Sequence, residues 1–292
     1  MLSIQNASFK ISVTKIGAEL CSLFSKSQNT EFIWQANPSI WGSHAPVLFP
    51  IIGCLKDGEF LFEGSSYSVP KHGFIRNNTA LESKIVAENC IEFSSTFNED
   101  SLKNYPFKYE FILRYILQDN GVKVEHTIIN HDTQKPMFFS LGGHPGCNCP
   151  FFENENYEDY FIEFEVPETD ETWLVSKEGL IENESIPFLN NSKTLPLRKD
   201  LFAKDALIFK NLKSNHVSLK SKNHGIALTV DISEFEYLGL WAKPNAPFIC
   251  IEPWLGISDA INTNQYFTKK EGIQRLDAKE IRVISFEIII EG

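Results

Sequence analysis

The sequence predicts an all-β protein built as one large antiparallel β-sandwich. Three observations carry that prediction. Short runs rich in Val, Ile, Phe and Tyr alternate apolar and polar residues at period two, the pattern of a half-buried strand. These runs recur at intervals of about 8–12 residues with turn residues between them, as in sandwiches and barrels. Convincing amphipathic helices are nearly absent, so no strand–helix alternation and no parallel sheet is expected.

In chain order, SFKISVTKIG (8–17), EFIWQ (31–35), EFLFEG (59–64) and SYSVP (66–70) read as the first strands. Asp57-Gly58, Glu63-Gly64 and Asn120-Gly121 are hairpin signals, because these residues reach the left-handed backbone of tight turns at little steric cost. SIWGSHAP (39–46) is expected to make a helical turn at most, and NEDSLKNYP (98–106) a surface loop or short helix. CIEFSSTF (90–97), KYEFILRYIL (108–117) and GVKVEHTIIN (121–130) show clear alternation. HVSLKS (216–221), GIALTVDI (225–232), YLGLWA (237–242), FICIEPW (248–254) and EIRVISFEIIIE (280–291) continue it. The stretch from Phe151 to Ser192 is rich in Glu, Asn, Asp and Pro and reads as loops laid over one face. No fixed-period repeat suggests a propeller, and no Gly/Ser- or Pro-rich linker cuts the chain, so a single domain over 1–292 is expected.

Composition narrows the function classes. With 42% apolar residues, including 24 Phe against 2 Met, the chain can fill a large and rigid core. A net charge of −11 argues against nucleic acid or an anionic membrane surface as the main partner. The start, MLSIQNASFKISVTKIG, lacks the charged and apolar regions of a signal peptide, and no apolar run is long enough to span a bilayer. A cytoplasmic protein with reduced thiols is therefore expected. Among the six cysteines only Cys147 and Cys149 are close, and C-x-C without a second pair is a weak metal signal. Phosphate-cradling glycine loops and G-x-S-x-G are also missing, so neither metal nor cofactor is expected.

Four stretches place a polar residue in an apolar or tight-turn context. FFSLGGHPG (138–146) sets His144 at the end of a buried strand, where a group that titrates near neutrality suits proton transfer. FICIEPWLG (248–256) sets Glu252 among Phe248, Ile249, Ile251 and Trp254, a costly place for a carboxylate unless it is paired. PKHGFIRN (70–77) holds His72 and Arg76, and FAKDALIF (202–209) holds Asp205. Each has a purely structural alternative. Strand alternation could turn Glu252 to solvent, His72 or His144 could bond backbone in a turn, and Asp205 could cap one. Together with Trp34, Trp41, Trp241 and Trp254, the set points to a sugar site, since aromatic faces cover a pyranose and charged groups bond its hydroxyls.

The blocks HAPVLFPIIG (44–53), LKDGEFLFEGSSYSVPKHGFIRN (55–77), FSLGGHPGCNCP (139–150), FAKDALIF, LGLWAKPNAPFICIEPWLGISD (238–259) and KKEGIQRL (269–276) run through nearly the whole chain. In order and spacing they resemble the aldose 1-epimerase, galactose mutarotase-like family, most closely its LacX-like branch. The resemblance implies that family's large twisted supersandwich and the interconversion of sugar anomers by ring opening. It matches His144 to the general acid, Glu252 to the general base, His72 to a histidine that holds and polarises the sugar, and Asp205 to a hydroxyl-binding aspartate. Arg76 lies in the same block as His72 and is carried over as a pocket residue. Where many relatives have an arginine facing the sugar, this chain has Cys54, which cannot make a charged forked contact.

The leading expectation is thus an isomerase acting on a free aldohexose, as a monomer or homodimer without cofactor. A hexose-6-phosphate 1-epimerase is the first alternative, with Lys56, Lys71, Arg76 and Lys243 as candidate phosphate contacts. A carbohydrate-binding or sensing protein without turnover is the second.

Overall fold

The computed structural model describes residues 1–292, and its architecture is that of two antiparallel sheets with smaller ones around them. The larger has nine strands, in the order Ile181–Pro196, Tyr160–Val175, His216–Ser221, Ala227–Asp231, Ile281–Glu291, Gly121–Asn130, Tyr109–Gln118, Cys90–Thr96 and Glu82–Ala87. Its clearest strand, Tyr109–Gln118, buries every second residue from Tyr109 to Leu117, as its alternation requires. Gln118 pairs with Gly121, so the hairpin to the next strand closes over two residues.

The second sheet has six strands: Leu207–Phe209, Tyr237–Trp241, Phe248–Leu255, Leu141–Gly143 and Val47–Leu48 in order, with Gly146–Asn148 also paired to Phe248–Leu255. All eight residues of Phe248–Leu255 are buried, the mark of a central strand covered on both faces. Between the sheets lies one contiguous cluster of 64 buried apolar residues. Phe49 of the smaller side sits 4.9 Å from Phe111 of the larger. A Cβ at Gly143 would lie 2.6 Å from the Phe286 ring, so only glycine lets the two layers approach this closely.

Several local expectations need correction. Residues 151–192 are not mainly loops: Tyr160–Val175 and Ile181–Pro196 form the longest hairpin of the large sheet. Asp57-Gly58 has the left-handed backbone expected of it, with φ of 56° and 75°, but forms a short 3₁₀ turn before Glu59–Phe62 and joins no paired strands. Glu63-Gly64 does close a hairpin, at φ of 48° and 81°. Residues Glu99–Asn104 form the one α-helix, capped by the Asn98 side chain on the Asp100 and Ser101 N–H groups. The 39–46 segment makes only the turn in which Ile40 and Trp41 N–H donate to the Asn37 carbonyl.

Candidate active site

The small sheet gathers the chemistry-bearing residues at one cavity. Glu252 projects from the centre of Phe248–Leu255, opposite Gly239 on the neighbouring strand. His144 follows directly after Leu141–Gly143 and is held by its N–H bond to the Pro46 carbonyl, 3.1 Å. Asp205 precedes Leu207–Phe209. His72 and Arg76 arrive on a loop tied to Phe49, whose carbonyl accepts from the Phe74 N–H at 3.1 Å. A Cβ at Gly73 would fall 1.9 Å from that carbonyl, which is why glycine follows His72. His72, Arg76, His144, Asp205 and Glu252 all line one cavity of about 330 Å³, a volume suited to a small molecule.

At its centre His144 Nε2 lies 3.3 Å from Glu252 Oε2. The two are in reach but out of hydrogen-bond alignment, and Glu252 Oε2 has no other partner. Glu252 is 2% exposed, so it does not face solvent. Burial raises its pKa well above the carboxylate range, opposed by Lys71, then by the Trp254 indole and Arg76. The Trp254 N–H is near enough to favour the carboxylate yet makes no aligned hydrogen bond. Burial drives the His144 pKa the other way, down, with the Arg76 cation adding to it. Burial thus favours the neutral form of both groups, an uncharged imidazole beside a protonated carboxyl.

His72 is fixed differently. Its Nδ1 accepts the Gly53 N–H at 3.1 Å, so in the neutral ring the proton sits on Nε2. Burial, then His144 and the cations Lys71 and Arg76, lower its pKa well below the usual value and keep it a neutral donor. Aromatic rings complete the wall. Trp41 stacks on His144 with centroids 5.1 Å apart, and Trp241 meets the same imidazole edge-on at 5.9 Å.

The matching family model is that of aldose 1-epimerase, over residues 1–261. The chain belongs to the aldose 1-epimerase family. It is 33% identical over 298 residues to the plasmid-encoded protein LacX of Lactococcus lactis subsp. lactis, covering 99% of each. A galactose mutarotase related enzyme from Lactobacillus acidophilus superimposes with a TM-score of 0.93 at 33% identity, covering 100% of this chain and 97% of that one. A galactose mutarotase-like protein from Lactobacillus casei gives 0.92 at 29% identity, with 100% of both chains covered. These agree with the supersandwich that the sequence blocks imply.

Within this family member, some sequence expectations shift. Trp41, Trp241 and Trp254 line the cavity, but Trp34 stands behind it, its indole N–H donating to the Trp41 carbonyl at 2.9 Å. Of the four candidate phosphate contacts, Lys71 and Arg76 line the cavity, whereas Lys56 and Lys243 do not, and Lys243 Nζ donates to the Ile40 carbonyl. Cys54 is not among the lining residues; its Sγ packs against Gly179. Cys147 and Cys149 are both buried. Three donors that could hold a metal do converge elsewhere, from His144, Cys250 and Glu252. Sequence reasoning missed Val175, Gly179 and Ile181, which the long hairpin brings to the rim, and Ile208 and Ser258. Their only signal is position, since nothing in their identity separates them from core residues.

Proposed function

We propose that the protein is an aldose 1-epimerase that interconverts the α and β anomers of an aldohexose, with Glu252 as general base and His144 as general acid. The observation that carries this reading is the 3.3 Å contact of His144 Nε2 with the unpartnered Glu252 Oε2 on the wall of a sugar-sized, tryptophan-lined cavity. Glu252 takes the proton of the C1 hydroxyl while His144 protonates the ring oxygen, and the C1–ring oxygen bond breaks to give the open-chain aldehyde. Rotation about C1–C2 presents the other carbonyl face. On closure Glu252 returns its proton to O1 and His144 removes the one on the attacking hydroxyl. The neutral pair favoured by burial is the protonation state that follows ring opening, and Lys71 and Arg76 draw Glu252 back towards the carboxylate that starts the cycle. The Nε2–H of His72 supplies a fixed donor for a sugar oxygen, and Arg76 and Asp205 bind hydroxyls.

Polarimetry of fresh α-D-glucose and α-D-galactose tests the reading. Glu252→Gln and His144→Asn are each expected to lower kcat by about 10²–10⁴-fold with the fold retained. Wild-type rates in folded variants would sink it. The hexose-6-phosphate alternative is favoured by one observation, the presence of two cations, Lys71 and Arg76, at the cavity. It predicts that Lys71→Ala raises KM for glucose 6-phosphate at least tenfold more than for glucose.

A further inference from the structure

Cys250 and Glu252 stand two residues apart on Phe248–Leu255, so their side chains leave the same face of the sheet. Cys250 is paired with Gly146, two residues beyond His144, and Trp41 covers that glycine closely enough that a Cβ would lie 2.7 Å from its ring. The outcome is a convergence found nowhere else in the molecule. One donor atom from each of His144, Cys250 and Glu252 lies within 4.8 Å of the other two, and all three residues are buried. Glu252 Oε2, 2% exposed as a residue, has no hydrogen-bond partner.

We infer that His144, Cys250 and Glu252 form a binding site for a soft divalent cation of the Zn²⁺ or Cd²⁺ class, whose occupation blocks sugar turnover. Imidazole, thiolate and carboxylate are all zinc donors, and tetrahedral bonds of about 2.0–2.3 Å set neighbouring donor atoms about 3.3–3.7 Å apart. The His144–Glu252 separation of 3.3 Å already meets that condition. Cys250, within 4.8 Å of both, has to draw closer as the ion binds. The fourth position faces the cavity and takes water. The ion engages the same nitrogen and oxygen that would move the sugar's protons, so metal and sugar compete.

Binding is coupled to protons. As the metal–sulfur bond forms, the Cys250 S–H proton leaves to solvent, and the ligating atoms of His144 and Glu252 must likewise be free of protons. Affinity therefore rises with pH, up to about tenfold per unit for each proton released. The groups that face the set are His72, Lys71, Arg76 and Asp205 around the cavity, with Cys147 and Tyr157 near Cys250. The two cations oppose the incoming ion, and Asp205 offsets them in part.

The test is titration of the metal-free full chain with Cd²⁺ and Co²⁺, followed by thiolate-to-metal charge-transfer absorption. One equivalent is expected to give the band. Cys250→Ser and Cys250→Ala should abolish it, Glu252→Gln should weaken binding at least tenfold, and Cys54→Ser and Cys149→Ser should leave it unchanged. One equivalent of Zn²⁺ should stop wild-type mutarotation and spare both Cys250 variants. No band, a band that survives the loss of Cys250, or equal Zn²⁺ sensitivity in the variants would overturn the proposal. The inhibition arm rests on the proposed function, but the absorption arm does not, so a protein silent towards sugars would still decide the metal site.

Discussion

Two buried acid–base contacts sit at or beside the cavity, and they are completed to different degrees. Lys270 Nζ meets Asp259 Oδ1 at 2.7 Å, with each side chain 4% exposed. The other Asp259 oxygen accepts the Lys56 N–H at 3.0 Å, and the Asp259 backbone bonds the Cys54 carbonyl and the Ile181 N–H. His144 and Glu252 are buried about as deeply, yet their contact is long and misaligned and Glu252 Oε2 is left unpaired. A buried pair joined by a short hydrogen bond, with both carboxylate oxygens engaged, ties segments together. An unfinished one at the same depth carries a desolvation cost that only a ligand can relieve. The difference separates the brace from the site.

The largest expected effect sharpens that separation. Glu252→Gln should cost 10²–10⁴ in rate, about 3–5 kcal/mol of barrier, while unfolding stability stays within about 1 kcal/mol of wild type. The substitution is nearly isosteric, and burial already disfavours the carboxylate that it removes. In wild type, kcat/KM should be flat through pH 6.5: the lowered His144 pKa and raised Glu252 pKa widen the pH range in which the pair holds one proton. A break near 6.5 that vanishes in His144→Asn would contradict the tuning.

Lys270→Met should show the opposite signature. Leaving Asp259 buried without its cation is expected to destabilise by about 3–5 kcal/mol in chemical denaturation. Pairing it with Asp259→Leu should recover most of that loss, because two apolar side chains leave no orphaned charge. If the single variant costs under 1 kcal/mol, Lys270–Asp259 is no brace.

The third effect lies behind the site. His126 is 1% exposed, with its Nδ1 unpartnered, and burial lowers its pKa to about 4. Its unfolded form titrates near 6.5, so the unfolded chain binds the proton first. Full stability holds above pH 6.5 and is lost as pH falls towards 4, by about 3 kcal/mol from this residue. His72 and His144, also lowered, act in the same direction. His126→Phe should flatten the pH dependence of unfolding between 6.5 and 4; an unchanged slope would mean that His126 is not held neutral.

These contrasts also show what was legible. Tyr109–Gln118 could be read because its buried positions are apolar. Tyr160–Val175 could not, because Glu168, Asp170 and Thr172 occupy buried positions along it. Glu168 accepts the Lys213 and Ser214 N–H groups, and Asp170 those of Lys210 and Asn211, so carboxylates there satisfy a neighbouring segment's backbone. Polar composition looked like a loop and was strand. The candidate site residues announced themselves for the reverse reason, as charges in apolar or glycine-rich surroundings. Val175, Ile181 and Ile208 gave no such contrast.

Asp205 supplies the smallest effect and the finest division. Its backbone sits at φ 90°, a strained conformation for a residue with a side chain, and its Oδ1 accepts the adjacent Ala206 N–H at 2.7 Å. One carboxylate oxygen is thus spent on the turn and the other is available to the cavity. Asp205→Asn keeps an oxygen for the turn and removes the charge, so KM should rise about tenfold, equivalent to 1.4 kcal/mol, with kcat within about twofold of wild type. That outcome makes Asp205 a binding group equally engaged in ground and transition states. A fall in kcat at constant KM would instead place it with the unfinished pair, acting where charge develops.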